Sequence, residues 1–310
     1  MELVFAASPM ASSNLRVDRI VCAVTLSPSS RRVVAWAASL ARRYDAEVRL
    51  FHSMPIWSER AAAERGADSE QVLKKLFTLG QGLRGRPRIS AAVTEGDAAA
   101  EILRHARMVH ADVVAIGMHA RDGRVSPLIA QIAINAPCPV LVVDDTSSLS
   151  GILNHIVVAI NFRPASLLAA NYAFAFAAAV NARVTAVHVL PERWEGPRRA
   201  DANIDETREL VQRHFRQLLH NAVSDMSGSH GNWSGVVTSG RPCAELVRVA
   251  AARDADLIVM GVDAEHKSQN TFGETTSCMM QFARRTVLLV PERLLREQQV
   301  APRDRSIRPQ

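Results

Sequence analysis

The chain has 310 residues, of which 48% are hydrophobic and 22% are charged, and this balance excludes a disordered protein and allows two domains of about 150 residues each. Its 37 basic and 31 acidic side chains leave a net charge of only +6, and no aromatic-rich basic motif accompanies that charge, so nucleic-acid binding is not expected. No run of about 18 apolar residues occurs, so no membrane span is expected. Residues 1–15 lack the basic start of a signal peptide. These features predict a soluble cytoplasmic protein.

The four cysteines are Cys22, Cys138, Cys243 and Cys278. None lies in a C-x-x-C pair, and none has histidine neighbours at the spacing of a zinc site. This usage is typical of a reducing cytosol rather than of a disulfide scaffold, and no metal site is expected.

Strands and helices alternate along the chain. Residues 19–25 form a continuous apolar run, which is typical of a strand buried on both faces, and a helix over 31–44 follows, with Ser29 or Ser30 as its cap. The first half continues with predicted strands at 47–53, 88–94, 112–117 and 139–143 and helices at 68–80, 98–109 and 127–136. The second half has predicted strands at 155–161, 183–189, 233–239, 256–261 and 286–290. This alternation predicts parallel sheets covered by helices on both faces.

The two halves are copies of one domain. IVCAV at 20–24 is repeated as IVVAI at 156–160, an offset of 136 residues that also pairs His52 with His188. The offset becomes 144 where Gly117 pairs with Gly261, and 147 where VLVV at 140–143 pairs with VLLV at 287–290. A period this long indicates a duplicated domain rather than a solenoid. The predicted organisation is an extension at 1–17, domain 1 at 18–145, a linker at 146–152, domain 2 at 153–292 and a basic tail at 293–310.

Two pairs of titratable side chains recur in both copies. His52 and His188 end the second strands, and we interpret them as half-buried rings that form hydrogen bonds near the end of the sheet. Glu101 and Glu245 lie in the first turns of the third helices, where an acidic side chain suits the helix dipole, so they are not interpreted as general acids.

A doubly wound parallel sheet binds ligands beyond the carboxyl ends of its strands, where the strand order reverses. Here that point lies between the first and fourth strands of each copy. Each fourth strand ends in a glycine, Gly117 or Gly261, and is followed by a loop and then a helix start. A helix start offers free N–H groups that suit phosphate, although these glycines are also explained by a simple chain reversal after a strand.

The segments GDAAAEILRHARMVHADVVAIGMHAR and GRPCAELVRVAAARDADLIVMGVDA, each followed by a short last helix and strand, resemble the universal stress protein family. The resemblance spans most of 18–145 and 153–292 and implies two tandem Rossmann-like α/β domains, each with a five-stranded doubly wound parallel sheet. It also implies a role in stress response. ATP-binding members of the family carry an Asp after strand one. After strand four they carry a motif of Gly, two residues, Gly, nine residues, and Gly with Ser or Thr.

Domain 1 departs from the ATP-binding pattern of that family. Thr25 stands at the strand-one Asp position, Gly117 is kept, and Ala120 replaces the second glycine. Counting nine residues onward from Ala120 reaches Ala130 and Gln131, whereas counting back from the last strand reaches Ser126 and Pro127. We favour the second alignment, because Ser126 is a natural helix cap and Pro a natural first helical residue. On that alignment the loop is shortened and the phosphate cradle is lost.

Domain 2 departs less from the pattern. Asn161 replaces the strand-one Asp and keeps its hydrogen-bonding ability, Gly261 is kept, and Ala264 replaces the second glycine. Gly273 is kept, and Glu274 follows it where the family has Ser or Thr. A carboxylate there repels a triphosphate, and Thr275 is a partial substitute. The resemblance therefore implies ATP, with Mg²⁺, as the candidate ligand, with domain 2 the better site.

Two functional hypotheses remain open. The first is a non-enzymatic stress-response protein with degenerate adenine-nucleotide sites, and the second is an interaction module that has lost nucleotide binding and acts through protein partners. Catalysis is not expected, because neither turn after strand one carries an adenylyl-transfer signature and no Walker A or G-x-S-x-G motif occurs.

The fifth strands carry long apolar edges that need covering. Family members often pair through this strand, so we expect the two domains to pair through it as a pseudo-two-fold unit within one chain. A further homodimer of whole chains is left open.

Overall fold

The computed structural model describes residues 15–56, 62–81, 87–118, 126–147, 151–190, 232–263 and 272–300, together with residues 212, 213, 215 and 217. The predicted alternation of strands and helices is confirmed. Most predicted ends agree with the structure to within two residues, and the second helix starts six residues earlier than predicted.

The elements of domain 1 are β1 (Arg19–Ala23), α1 (Ser30–Tyr44), β2 (Glu47–Met54), α2 (Ala62–Gln81), β3 (Arg88–Glu95), α3 (Ala98–Met108), β4 (Val113–Gly117), α4 (Pro127–Asn135) and β5 (Val140–Val143). The elements of domain 2 are β6 (His155–Ala159), α5 (Pro164–Val180), β7 (Arg183–Leu190), β8 (Trp233–Ser239), α6 (Pro242–Ala252), β9 (Leu257–Val262), α7 (Glu274–Phe282) and β10 (Thr286–Pro291). The basic tail begins as a helix, α8 (Arg293–Val300), which buries Leu294 in the core.

The ten strands of the described residues form one continuous sheet in the order β3-β2-β1-β4-β5-β10-β9-β6-β7-β8. Within each half, neighbouring strands are parallel, as predicted. The halves meet where β5 pairs antiparallel with β10, and Val142 stands opposite Val287 while Val140 stands opposite Leu289. The expected pairing through the fifth strands is therefore confirmed.

Two hydrophobic layers cover the sheet, and each runs across both domains. One layer packs α1 and α5 against the sheet, and the aromatic rings of Tyr44 and Phe176 meet there, 6.0 Å apart, across the domain boundary. The other layer packs α3, α4, α6 and α7 against the opposite face. Alternate residues of each strand enter alternate layers, which explains why the strands are apolar throughout. The described helices are all too short or too polar to span a bilayer.

A repeated aspartate ties the amino-terminal end of each sheet together. The Asp112 carboxylate accepts hydrogen bonds from the backbone N–H groups of Asp18 and Arg19, at 2.8 and 3.0 Å. Asp256 accepts the equivalent bonds from Asn154 and His155, at 2.7 and 3.0 Å. These carboxylates lie at the end of the sheet away from the candidate clefts, so their recurrence in both copies is structural.

A glycine followed five residues later by a glutamate recurs at the start of the third helix of each domain. Gly96 and Gly240 have φ of +152° and +144°, which a side chain rarely adopts, and each begins the approach to the third helix of its domain. The carboxylates of Glu101 and Glu245 pair with Arg104 and Arg248, at 2.6 Å in both domains. Both glutamates lie in the first turn of their helix, as predicted, and each forms an ion pair there.

One histidine is buried without a hydrogen-bond partner. His105 is 2% exposed, its ring stacks on Phe51 with centroids 4.4 Å apart, and neither ring nitrogen has a partner among the described residues. Burial, with the nearby Arg49 and Arg104 charges, lowers the pKa of His105. As the pH falls, the imidazole of His105 is therefore protonated in the unfolded chain before it is protonated in the folded chain. The free energy of unfolding is unaffected by this group above about pH 6.5 and decreases on acidification below it.

We expect His105→Phe to remove this acid sensitivity. The variant keeps the stacked ring and removes two unsatisfied nitrogens, so it should gain about 1 kcal/mol at pH 8 and more at pH 5. Urea unfolding of both proteins at the two pH values measures this difference. A variant that is less stable than the parent by the same amount at both pH values would contradict this account of His105.

The expectation of four unpaired thiols is wrong for one pair. Cys243 and Cys278 form a disulfide, with their Cα atoms 6.0 Å apart, that joins α6 to α7. Cys22 and Cys138 are buried and take no part in a disulfide among the described residues. The bridge was not predicted, because its cysteines are 35 residues apart and become neighbours only when two helices pack side by side.

Candidate functional site

The two candidate clefts lie where the strand order reverses in each domain. In domain 1, β1 and β4 are neighbours, and the chain leaves them at Val24 and Met118. In domain 2, β6 and β9 are neighbours, and the chain leaves them at Ile160 and Asp263. In each domain, the first strand passes its chain to a helix on one face and the fourth strand to a helix on the other, which opens a cleft between the two loops.

The two histidines that end the second strands support the turns at these clefts. His52 Nδ1 lies 2.7 Å from the carbonyl oxygen of Val24, and His188 Nδ1 lies 2.8 Å from that of Ile160. Both rings are half-buried, and Phe162 packs on His188 with centroids 4.7 Å apart. The sequence-based interpretation of these histidines is confirmed, because each ring fixes the carbonyl at which strand one ends.

In domain 2, the side chain of Asn161 organises the turn after β6. Its Oδ1 accepts a hydrogen bond from the backbone N–H of Arg163 at 3.0 Å, and the backbone N–H of Asn161 donates to Ser166 Oγ at 3.3 Å. Phe162, between them, takes a left-handed conformation with φ of +63°. Asn161 is exposed at the cleft, and this local bond engages its carbonyl oxygen, so the Nδ2 amide is the group that it presents to a ligand.

In domain 1, the equivalent turn is lined by hydroxyl groups. The hydroxyl of Thr25 lies 2.9 Å from that of Ser27, which in turn lies 2.7 Å from that of Ser29. Leu26 takes the same left-handed conformation as Phe162, with φ of +59°. The turn geometry is thus kept in both copies while the chemistry differs, because an uncharged hydroxyl row stands where the family has a carboxylate.

Gly261 has a packing role that the sequence did not indicate. A Cβ at this position would lie 2.4 Å from the carbonyl carbon and 2.5 Å from the carbonyl oxygen of Ala165, in the first turn of α5. Gly261 lies within β9, paired with Val290, so its backbone is extended rather than reversing. The interpretation of this glycine as a chain-reversal residue is therefore wrong, because a glycine is needed where the start of α5 rests on the strand. Gly117 holds the matching place at the end of β4, paired with Val143.

An ion pair crosses the cleft of domain 2. Arg163, at the cap of α5, donates from Nη1 to Asp263 Oδ2 at 3.0 Å, and Asp263 directly follows β9. The pair joins the loops after strands one and four, which are the two loops that a ligand in the cleft would touch. Sequence reasoning missed both residues. The only signal was an arginine and an aspartate placed directly after neighbouring strands.

The second wall of this cleft is the start of α7. Gly273 is its cap residue, with φ of −62°, and Glu274 and Thr275 are its first two helical residues. The free N–H groups of this turn suit an anion, but Glu274 is exposed and already places a carboxylate at the positive end of the helix. The residues therefore fit an adenine nucleotide only in part: Asn161 and the helix start provide donors, while Glu274 and Asp263 oppose phosphate charge.

The start of α4 in domain 1 offers less. Ser126 is the cap residue and Pro127 the first helical residue, as the favoured alignment predicted, and the Ser126 hydroxyl makes no capping hydrogen bond. Pro127 has no N–H group, so one of the donors of a helix start is missing. Ala120 and Ala264, which replace the second glycines, lie outside the described residues. Within the described ranges, no group of three His, Cys, Asp or Glu side chains is arranged to hold a metal ion.

The chain was compared with known proteins in sequence and in structure. A universal stress protein structure from Archaeoglobus fulgidus DSM 4304 superposes with a TM-score of 0.64 at 13% identity, and covers 88% of this chain and 98% of that one. A putative universal stress protein from Pseudomonas aeruginosa UCBPP-PA14 superposes with a TM-score of 0.61 at 16% identity, and covers 91% of this chain and 96% of that one. At these identities, the likeness shows the fold. Comparison with curated proteins returned no match.

The family comparison is decisive because it finds both copies. The sequence model of the universal stress protein family matches residues 16–144 and again residues 153–291, which together span most of the chain. These two matches coincide with the two halves of the ten-stranded sheet, one ending at β5 and the other at β10. The chain therefore belongs to the universal stress protein family, as a member with two tandem domains.

Proposed function

We propose that this chain is a non-enzymatic, cytoplasmic stress-response protein with two degenerate adenine-nucleotide sites, of which the site in domain 2 is the tighter. The observation that carries the proposal is the contrast between the two last-helix starts. The turn from Gly273 to Thr275 keeps all of its backbone N–H groups, whereas Pro127 removes one at the matching place in domain 1.

The strand-one turns support the same ranking of the two sites. Asn161 offers an amide donor at the cleft of domain 2, fixed in place by its bond to Arg163, while domain 1 offers the hydroxyl of Thr25, already close to Ser27. An oriented amide recognises a ribose or a base edge better than a hydroxyl in a hydroxyl row. Among the residues that the structure describes at the two clefts, no nucleophile is hydrogen-bonded to a general base, and the proposal is therefore one of binding.

The second candidate function is an interaction module without nucleotide. The observation that favours it is the acidic character of the domain 2 cleft, where Asp263 is tied across the opening by Arg163 and Glu274 lies at the helix start. Two carboxylates oppose a triphosphate, and the ion pair must open or shift to admit one. In this case no nucleotide enters the clefts, and the protein acts by binding protein partners through its surface.

Isothermal titration of ATP and Mg²⁺ into nucleotide-stripped protein separates the two candidates. We expect one site per chain with a dissociation constant in the micromolar range, abolished in Asn161→Ala/Gly273→Val. Thr25→Ala/Ser126→Ala, which makes comparable changes at the equivalent places in domain 1, should bind as the parent does. Glu274→Thr should tighten binding about fivefold, because removing one charge near phosphate in a solvated cleft is worth about 1 kcal/mol.

One result would decide against nucleotide binding, and another would decide only against the ranking of the two sites. If neither the parent nor Glu274→Thr takes up ATP, then the interaction module is the better function. If the domain 1 variant loses binding and the domain 2 variant keeps it, then the ranking of the two sites is wrong, although the nucleotide proposal stands.

A further inference from the structure

The disulfide lies in a part of domain 2 that borders the candidate cleft. Cys243 is the second residue of α6, and Cys278 is the fifth residue of α7, the helix whose start is Gly273 and Glu274. Both cysteines contact the hydrophobic layer on that face of the sheet, with Cys243 9% exposed and Cys278 half-buried. The sulfur pair is thus near the surface rather than deep in the core.

Domain 1 shows that the fold does not need this bridge. The repeat offsets place Ala99 of α3 opposite Cys243, and Gln131 of α4 opposite Cys278. In domain 1 the two helices pack on the same face of the sheet with neither cysteine present. The two cysteines therefore form a matched pair that belongs to one copy only, which points to a use beyond holding the architecture together.

The position of Cys243 favours a reactive thiol. It lies in the first turn of α6, an eleven-residue helix that begins with Pro242, where the remaining free N–H groups and the positive end of the dipole stabilise a thiolate. The cap residue Arg241 is a second positive group in the same turn. The other two cysteines differ: Cys22 and Cys138 are buried in β1 and before β5, and burial raises the pKa of the Cys22 thiol well above its usual range.

We propose that Cys243 and Cys278 are a reversible oxidisable thiol pair, a modification site whose reactant is a hydroperoxide. The Cys243 thiolate attacks the terminal peroxide oxygen, the O–O bond breaks, and the alkoxide or hydroxide leaves with the proton that the thiol gave up, which produces a sulfenic acid. The Cys278 thiol then attacks that sulfur, the S–O bond breaks, and water leaves as the disulfide forms. Two thiols lose two electrons in total, and one hydroperoxide is reduced to an alcohol or water. A dithiol reductant reverses the change by exchange.

This inference goes beyond the proposed function and does not depend on nucleotide binding. The bridge ties α7 to α6 and closes a chain segment of 35 residues, so the oxidised chain should resist unfolding better than the reduced chain. The structure represents the oxidised state, in which the start of α7 beside the cleft is tethered to its neighbouring helix.

The test uses the full-length chain, reduced with dithiothreitol under native conditions, freed of reductant and then treated with one equivalent of hydrogen peroxide. We expect four free thiols after reduction and two after peroxide, with the 243 and 278 peptides cross-linked in mass mapping. The midpoint of thermal unfolding should rise by roughly 5–10 °C on oxidation. Cys278→Ser should accumulate a dimedone-reactive sulfenic acid at Cys243, and Cys243→Ala, which installs the domain 1 residue, should give at least tenfold less adduct at Cys278.

Three outcomes would overturn the proposal. The bridge would be a permanent structural cross-link if dithiothreitol failed to reduce it in the native protein. The pair would have no special reactivity if peroxide oxidised Cys22 or Cys138 as fast. The roles assigned to the two sulfurs would be wrong if the adduct formed equally in both single variants. Since none of these readouts involves ATP, failure here is distinct from failure of the nucleotide titration.

Discussion

The double variant Val142→Asp/Leu289→Asp should not form a stable folded chain. Both side chains are fully buried in the antiparallel seam, where Val142 stands opposite Val287 and Leu289 opposite Val140. Each aspartate would bury a carboxylate without a partner, at a cost of several kcal/mol. Two such costs equal or exceed the whole stability of a typical protein, about 5–15 kcal/mol. Urea unfolding and light scattering would show a lost folding transition and aggregation through the opened strands.

The matched control places the same two charges on exposed apolar side chains. Ile56 and Met108 are 68% and 58% exposed, so Ile56→Asp/Met108→Asp should stay within about 1 kcal/mol of the parent. A seam variant that remained monodisperse and as stable as this control would show that the halves do not meet through β5 and β10 in solution.

Gly261→Ala is expected to cost about 2–4 kcal/mol, which is large for one added methyl group. The new Cβ would lie 2.4 Å from the Ala165 backbone, and a backbone neighbour cannot rotate away as a side chain can. The start of α5 must therefore move off β9, which carries Asn161 and Arg163 with it and disturbs the cleft. Chemical denaturation would measure the loss, and weakened ATP uptake would accompany it if domain 2 binds nucleotide.

Gly66→Ala is the control for this glycine. Gly66 lies in α2 and a Cβ there would meet nothing within 4 Å, so the substitution should stabilise the chain by about 0.5–1 kcal/mol through helix propensity. Opposite signs for the two variants would tie the effect of Gly261 to close packing. A Gly261→Ala protein as stable as the parent would mean that α5 and β9 lie farther apart than described.

The architecture was predictable because its signals are local and occur twice. Continuous apolar runs mark buried parallel strands, and the recurrence of IVCAV as IVVAI and of VLVV as VLLV identified the duplication, while the family resemblance implied which strands pair. The cap at Ser126 with Pro127 was likewise readable from two adjacent residues. Each of these signals is a short run of adjacent residues, so it can be recognised in one sequence without knowledge of the fold.

The features missed at the site depend on contacts between distant segments. The ion pair of Arg163 and Asp263 forms because two loops meet, 100 residues apart in sequence. The bridge of Cys243 and Cys278 requires two helices to pack side by side. The close approach that explains Gly261 involves backbone atoms of another element. One signal was available for the bridge: both cysteines replace residues of the other copy, Ala99 and Gln131, that lie on the equivalent pair of helices.

The antiparallel pairing of β5 with β10 places the two candidate clefts far from each other. Because β5 and β10 run in opposite directions, the strands of domain 1 and those of domain 2 have their carboxyl ends on opposite sides of the sheet, along the strand direction. A ligand in one cleft therefore cannot contact a ligand in the other. Any coupling between the two clefts must pass through the shared sheet and the two hydrophobic layers that run across both domains. Since one chain supplies both domains, the two clefts are present in equal numbers at every protein concentration. A modification of only one half, such as oxidation of the cysteine pair, thus occurs once in each molecule and makes its two ends different.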